Sequence, residues 1–259
     1  MTFFEIHQAT VWRGETKALK DFSLELRAGE STAVLGPNGA GKSTFLKLLT
    51  GEVRPEAKPG KPCRLFGDEL WSLEELRHRI GMVMPEEVAR FNDWEVAADI
   101  VLSSLRGAYG RTRDMRFSQS DKRRALEAME LLGIASLAQR PFGALSSGER
   151  RRFLVARALV HEPEVLVLDE PSTALDFAVS LHLIVTLRQL LHQGRTLVWV
   201  THHPGEIPPE IDRVVLLKDG RVFADGRKRD VLTEKVLGCL YEVDLKIRWS
   251  GGWCDVRLK

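Results

Sequence analysis

Residues 36–44 read GPNGAGKST, a spacing of glycines, one lysine and two hydroxyl residues whose chemistry is to hold a phosphate. Gly36, Gly39 and Gly41 let the backbone curl until successive N–H groups point inward, and the helix that follows adds the positive end of its dipole. In the pattern G-x-x-x-x-G-K-[ST], Lys42 reaches the β- and γ-phosphates and Ser43 offers its hydroxyl to Mg2+, while Thr44 helps to fix the loop. Pro37, Asn38 and Ala40 complete the turn, Pro37 with a carbonyl but no N–H. The apolar run at 31–35 and the segment FLKLLTG after Thr44 give the strand-then-helix setting that this chemistry requires.

Two further segments narrow the kind of machine. Residues 165–170, VLVLDE, read as a strand buried on both faces that ends in two carboxylates, where open α/β sheets bind their ligands. Asp169 is placed to hold Mg2+, directly or through water, and Glu170 to orient and deprotonate an attacking water. Upstream lies LSSGERRRFLVARAL, residues 145–159, in which Ser146, Ser147 and Gly148 precede a run with helical apolar spacing at Phe153, Ala156, Leu159 and Val160. A second helix N-terminus is thus presented to an anion.

At this point the sequence resembles the ATP-binding cassette (ABC) ATPases, whose signature is usually LSGGQ, and the resemblance covers residues 2 to about 232 with every motif in the family's order. It implies an α/β fold: a P-loop NTPase cassette with an antiparallel β subdomain and a helical signature subdomain. It also implies that the signature, Ser146, Ser147, Gly148 and Glu149, caps ATP held by the phosphate loop of a second cassette, so that two chains complete each site. Ser147 replaces a glycine and Glu149 a glutamine, but Gly148, where backbone must approach phosphate, is kept.

Other positions are carried over singly. Trp12 falls where the family stacks an aromatic on adenine, and an ordinary strand residue is the alternative. Asp176, in STALD, belongs to the loop by which two cassettes sense one another, and also reads as the cap of the next helix. His202 matches the histidine that contacts the γ-phosphate. His203 beside it raises the idea of a metal pair, but neighbours on an extended segment point to opposite faces, which argues against it.

One match fails. After the strand IGMVM the family carries a Mg2+-binding glutamine, and here Pro85 stands in its place, followed by Glu86 and Glu87. Proline has no side-chain donor or acceptor. Either one of the two glutamates supplies the oxygen, or none does and coupling to the membrane partner is altered.

Composition fits a folded enzyme: 259 residues, 44% hydrophobic, and a net charge of +2 that gives no reason to expect nucleic acid. The basic runs at 111–116, 150–152 and 227–229 read as solvated faces. Cys63, Cys239 and Cys254 are odd in number and widely spaced, which suits a reducing compartment. No leader or membrane-spanning stretch is legible, so the expected place is the cytoplasm, on the membrane face through partner subunits.

Residues 1–241 read as the cassette, with a helical subdomain at about 86–157, and residues 242–259 as a C-terminal β-hairpin extension. Within it, residues 52–62 form a proline-punctuated loop, and a short helix after Trp71 opens with Ser72 and Glu75 as a capping box. Asp93 is expected to cap the helix over WEVAADIVLSSL, and Ser118 with Asp121 a helix that stops at Gly133. Hairpins turn at Asp219-Gly220 and at Gly251-Gly252.

A single cassette points to the ATP-hydrolysing subunit of a transporter, importer-like because 138–149 lacks the acidic, glycine-containing element of exporters with fused spans. Its partners are a second cassette and separate membrane subunits. A soluble stand-alone ATPase, regulatory or acting on nucleic acid or ribosomes, is the alternative. Stacking on adenine is blind to base identity, so Trp12→Ala should weaken ATP and GTP binding alike by about tenfold or more, with Trp12→Tyr nearly neutral, as read by nucleotide titration.

Overall fold

The computed structural model describes residues 1–56, 63–173 and 175–259. Part of the loop expected at 52–62, and position 174 in STALD, lie outside the described residues. In chain order the strands and helices are β1 (Thr2–Arg13), β2 (Thr16–Arg27), β3 (Thr32–Leu35), α1 (Lys42–Leu49), β4 (Cys63–Leu65), α2 (Leu73–Arg79), β5 (Ile80–Val83), α3 (Ala97–Ser104), α4 (Gln119–Leu131), α5 (Ser147–Leu159), β6 (Val165–Asp169) and α6 (Phe177–His192). There follow β7 (Thr196–Thr201), β8 (Arg213–Lys218), β9 (Arg221–Arg227), α7 (Lys228–Val231), α8 (Glu234–Tyr241), β10 (Leu245–Ser250) and β11 (Trp253–Leu258). They fall into two compact units, one made of Met1–Leu76 with Gly194–Lys259, the other of Arg77–Gln193.

The first unit pairs an antiparallel sheet with a mixed one. β1 lies between β2 and β4, antiparallel to both. β3 lies between β7 and β8, parallel to both, and β9 returns antiparallel on β8. Thr32 to Leu35 and all six residues of β7 are buried, which is why the sequence there shows apolar runs rather than alternation. α1 is anchored by Phe45, whose ring packs edge-on against Phe4 of β1 at 5.8 Å and against Phe22 of β2 at 6.1 Å. The helix that starts at the phosphate loop is thereby fixed to the antiparallel sheet. The turn between β8 and β9 has Asp219 at φ 52° and Gly220 at φ 77°, the left-handed pair that a two-residue hairpin demands. Gly251 at φ 53° and Gly252 at φ 84° make the same turn between β10 and β11.

The second unit is a parallel β5–β6 pair with the helices α3, α4, α5 and α6. α5 buries Phe153, Leu154, Val155, Ala156 and Ala158, so it is apolar nearly all round its middle. Ser118 caps α4 through the amide of Asp121, whose carboxylate returns to the Ser118 amide at 3.0 Å. Gly133, at φ 63°, follows the end of that helix.

Asp93 does not cap α3. The helix starts at Ala97 with Val96 as its N-cap, and its first amides are taken by the backbone: Ala97 N–H donates to Arg140 O at 3.0 Å and Ala98 N–H to Ala138 O at 2.8 Å. A carboxylate four residues earlier has no orphan amide left to satisfy. The box at α2 is half made, since Ser72 Oγ accepts from the Glu75 amide at 3.0 Å.

Two of the basic runs are solvated only in part, because each turns its middle residue inward, while Arg227 and Arg229 are exposed. Arg151 is 4% exposed and Lys228 3%. Lys228 Nζ donates to Pro208 O at 2.7 Å, and burial pulls its pKa down to about 8, against the nearby carboxylates of Asp212 and Glu210. An unfolded lysine titrates near about 10.4, so between roughly pH 8 and 10 the unfolded chain binds the extra proton and stability rises with pH. The melting temperature of the wild type minus that of Lys228→Met should therefore increase from pH 7.5 to pH 9.5, measured by calorimetry in matched buffers.

Candidate functional site

The phosphate loop leaves β3 at Leu35. Of its glycines, Gly39 (φ 79°) and Gly41 (φ 102°) do the curling. Gly36 has another reason, which differs from the sequence reading: a Cβ there would sit 2.5 Å from the Leu217 carbonyl oxygen of β8. Gly41 is the N-cap of α1 and contributes no side-chain cap, which leaves the first-turn amides to an external acceptor. Ala40 O accepts from the Gly220 amide at 3.1 Å, tying the loop to the β8–β9 turn. Lys42 is buried along its stem, and its Nζ donates to Gly36 O at 2.6 Å and Pro37 O at 3.1 Å. Pro37 is half-buried, Asn38 and Ser43 are exposed and Thr44 is buried.

Two other predicted residues lie in the same unit. Trp12 is 43% exposed on β1, opposite Lys17, whose Nζ stands 5.0 Å from the ring centroid. Its ring is therefore available rather than consumed by the core. His202 follows β7 in a turn stitched by Thr201, whose Oγ1 accepts from the His203 amide and donates to Glu206, both at 3.0 Å. The chain bends here, and the His202 and His203 rings lie 3.8 Å apart. They do not point to opposite faces as an extended segment would require. Among the described residues no three His, Cys, Asp or Glu side chains group as metal ligands.

In the other unit β6 delivers Asp169 at its C-terminal end. Glu170 comes next with φ 45°, a left-handed conformation for a residue with a side chain. Two contacts hold it: Thr173 Oγ1 donates to Glu170 Oε2 at 3.1 Å, and Arg151 Nη2 donates to Glu170 O at 3.1 Å. Burial pulls the Arg151 pKa down, against the attraction of Asp169, Glu87, Glu86 and Glu170. Sequence reasoning missed Arg151. Its position between Gly148 and Val155 on one helix face, at spacings of three and four, was the available signal.

The signature forms the start of α5. Ser146 caps it by accepting from the Glu149 amide at 3.3 Å, and Glu149 Oε2 accepts from the Ser146 amide at 2.7 Å, which holds that carboxyl below its ordinary range. Glutamate at 149 thus closes a reciprocal capping box and complements the helix dipole. Ser147 is the first helical residue and exposed, and Gly148 is buried, where a Cβ would lie 2.0 Å from Val179 Cγ1. Asp176 caps α6 by accepting from the Val179 amide at 3.0 Å. Pro85 opens a 3-10 turn, Pro85–Arg90. Within it Glu87 is buried, accepting from Tyr109 Oη at 3.1 Å, with burial pushing its pKa up, whereas Glu86 is exposed.

The family model described as "ABC transporter" matches residues 19–173. The cobalt import ATP-binding protein CbiO of Rhodobacter capsulatus is 37% identical over 226 residues, which span 86% of this chain and 77% of that protein. Among solved structures, an inward-facing "putative metal-chelate type ABC transporter" superposes with a TM-score of 0.78 at 26% identity, covering 99% of this chain and 96% of that one. A dimeric bacterial ABC transporter cassette does so with a TM-score of 0.71 at 26% identity, covering 87% and 99%. The chain belongs to the ABC transporter family and is its single-cassette, ATP-binding type.

The contact of Gly148 with Val179 generates a test within one chain. Gly148→Ala should destabilise by about 1–3 kcal/mol through overpacking. Adding Val179→Ala should restore most of the melting temperature.

Proposed function

We propose that this chain is the motor subunit of an import-type ABC transporter, binding and hydrolysing ATP in two sites shared between a pair of cassettes. The observation that carries it is one chain holding both halves of such a site: a phosphate loop whose helix has no side-chain cap, and a signature helix whose Ser146–Glu149 box fixes its N-terminus. The dimeric cassette and the import protein among its relatives support the pairing and the direction of transport. No helix among the described residues is long and apolar enough to cross a membrane, and membrane subunits are assigned to separate chains.

The roles assigned to the residues are those that the family resemblance implies, and the geometry within each unit supports them. Amides of Gly39 and of Gly41 to Thr44, with the Lys42 ammonium, bind the β- and γ-phosphates, while the Ala40 amide is used within the loop on Pro37 O, and the exposed Trp12 ring stacks on adenine. Ser43 and Asp169 offer hard oxygen donors suited to Mg2+, which when bound neutralises charge on the phosphate oxygens. Glu170 takes the proton of the attacking water, its carboxylate set by Thr173 and its backbone by Arg151. His202 orients the γ-phosphate and that water. Ser146, Ser147, Gly148 and Glu149 close on the partner's nucleotide, next to the loop that ends in Asp176. With Glu87 engaged by Tyr109, Glu86 is the carboxylate left to stand in for glutamine at Pro85. The cassette is assigned to residues 1–241, its helical part to about 86–157, and the hairpin to 242–259.

Binding and hydrolysis should separate. Lys42→Ala should lose most ATP affinity, whereas Glu170→Gln should bind ATP normally and hydrolyse at least about a hundredfold more slowly. Light scattering should show Glu170→Gln doubling in mass with MgATP. Equal loss of binding in both variants, or no change in mass, would overturn the proposal.

A further inference from the structure

The segment after His202 is held by the C-terminal end of the chain. Tyr241, the last residue of α8, donates its hydroxyl to the His202 carbonyl at 3.3 Å. β11 packs on the turn Pro204–Glu206, where a Cβ at Gly205 would lie 3.3 Å from Cys254 O. One step further, a Cβ at Gly252, in the β10–β11 turn, would lie 2.8 Å from Pro209 Cβ. Lys228 Nζ takes the Pro208 carbonyl at 2.7 Å. Residues 202–209 are therefore met at four places by residues beyond Arg227.

The hairpin that makes these contacts is itself fixed. The Ile247 amide donates to Glu234 at the start of α8 at 3.2 Å, and the Arg229 guanidinium stands 4.8 Å from the Trp249 ring centroid. On the other side of His202, Thr201 closes the turn onto Glu206. The contacts fall on the backbone at 202, 205 and 208 and on the Pro209 ring, and none of these four is made through the His202 imidazole. The backbone at 202 sets where the imidazole it carries can reach, and a reacting group misplaced by about 1 Å can lose about a hundredfold in rate.

We propose that residues 228–258 form a brace that sets the position of His202, with Tyr241 as a positioning residue. This rests on the reading of His202 as the group that orients γ-phosphate and water.

The experiment uses the full chain and compares Tyr241→Phe in the wild-type and His202→Ala backgrounds, following single-turnover ATP hydrolysis and nucleotide binding. Loss of one hydrogen bond to the loop should lower the hydrolysis rate of the wild type about three- to tenfold while leaving the Kd for ATP unchanged. In the His202→Ala background the same substitution should change nothing, because the group it positions is gone. An unchanged rate for Tyr241→Phe overturns the brace, as does an equal fall in both backgrounds, which is what a merely structural role produces. If His202→Ala alone keeps the full rate, the reading of His202 fails first, and the brace with it.

Discussion

The turn at Gly220 is the point on which the first unit depends. Its amide donates to Ala40 O in the phosphate loop, its carbonyl accepts from the Lys20 amide of β2 at 2.8 Å, and a Cβ there would lie 2.5 Å from Ala18 O. Three segments remote in sequence are thus joined through one residue without a side chain. Gly41 meets the same neighbourhood, with Leu19 Cδ2 2.7 Å from where its Cβ would be. The loop's shape is consequently a property of the β2 strand and the β8–β9 turn as much as of its own glycines. This is preorganisation in the sense that matters for binding a polyanion: the amides are aimed before the ligand arrives.

The second unit solves a different problem, that of keeping a charged group in a buried helix. Arg151 loses hydration, and the acidic groups at 86, 87, 169 and 170 are what make its cation tolerable. Arg157, further along α5, is handled in the same way, with Nη1 on Ile100 O and Ser103 Oγ, Nη2 on Ala108 O, and its guanidinium 4.7 Å from the Tyr109 ring centroid. Both arginines lock helix α5 to backbone carbonyls rather than to solvent. The helix that carries Ser146 and Ser147 at its start is thereby tied at two points along its length.

Much of this was legible in the sequence because it obeys local rules. The Gly-Lys-Ser spacing, the caps Ser118 and Asp176, and the two-residue turns at Asp219-Gly220 and Gly251-Gly252 each need only neighbours a few residues apart. What was not legible came from partners distant in the chain. Asp93 looked like a cap because nothing local reveals that Arg140 O and Ala138 O take the first amides of α3. The arginines of 150–152 looked solvated because a charge run says nothing of carbonyls supplied by residues 142–145 and 170. His202 and His203 were expected to diverge on an extended segment, and the bend made by Thr201 and Glu206 brings their rings together. The reason for glycine at 36 and at 148 likewise lies in Leu217 and Val179.

Glu170 sits at φ 45°, where a side chain is tolerated at a cost of order 1 kcal/mol or more and where glycine or asparagine is at ease. The chain therefore holds the carboxylate proposed as its base in a backbone conformation that local energetics would assign to another residue. A library of this protein sorted for thermal stability alone would be expected to drift toward glycine or asparagine at that position. On the role proposed for Glu170, stability and turnover are set against each other at a single dihedral angle, and a selection that counts ATP hydrolysed is what would keep the glutamate.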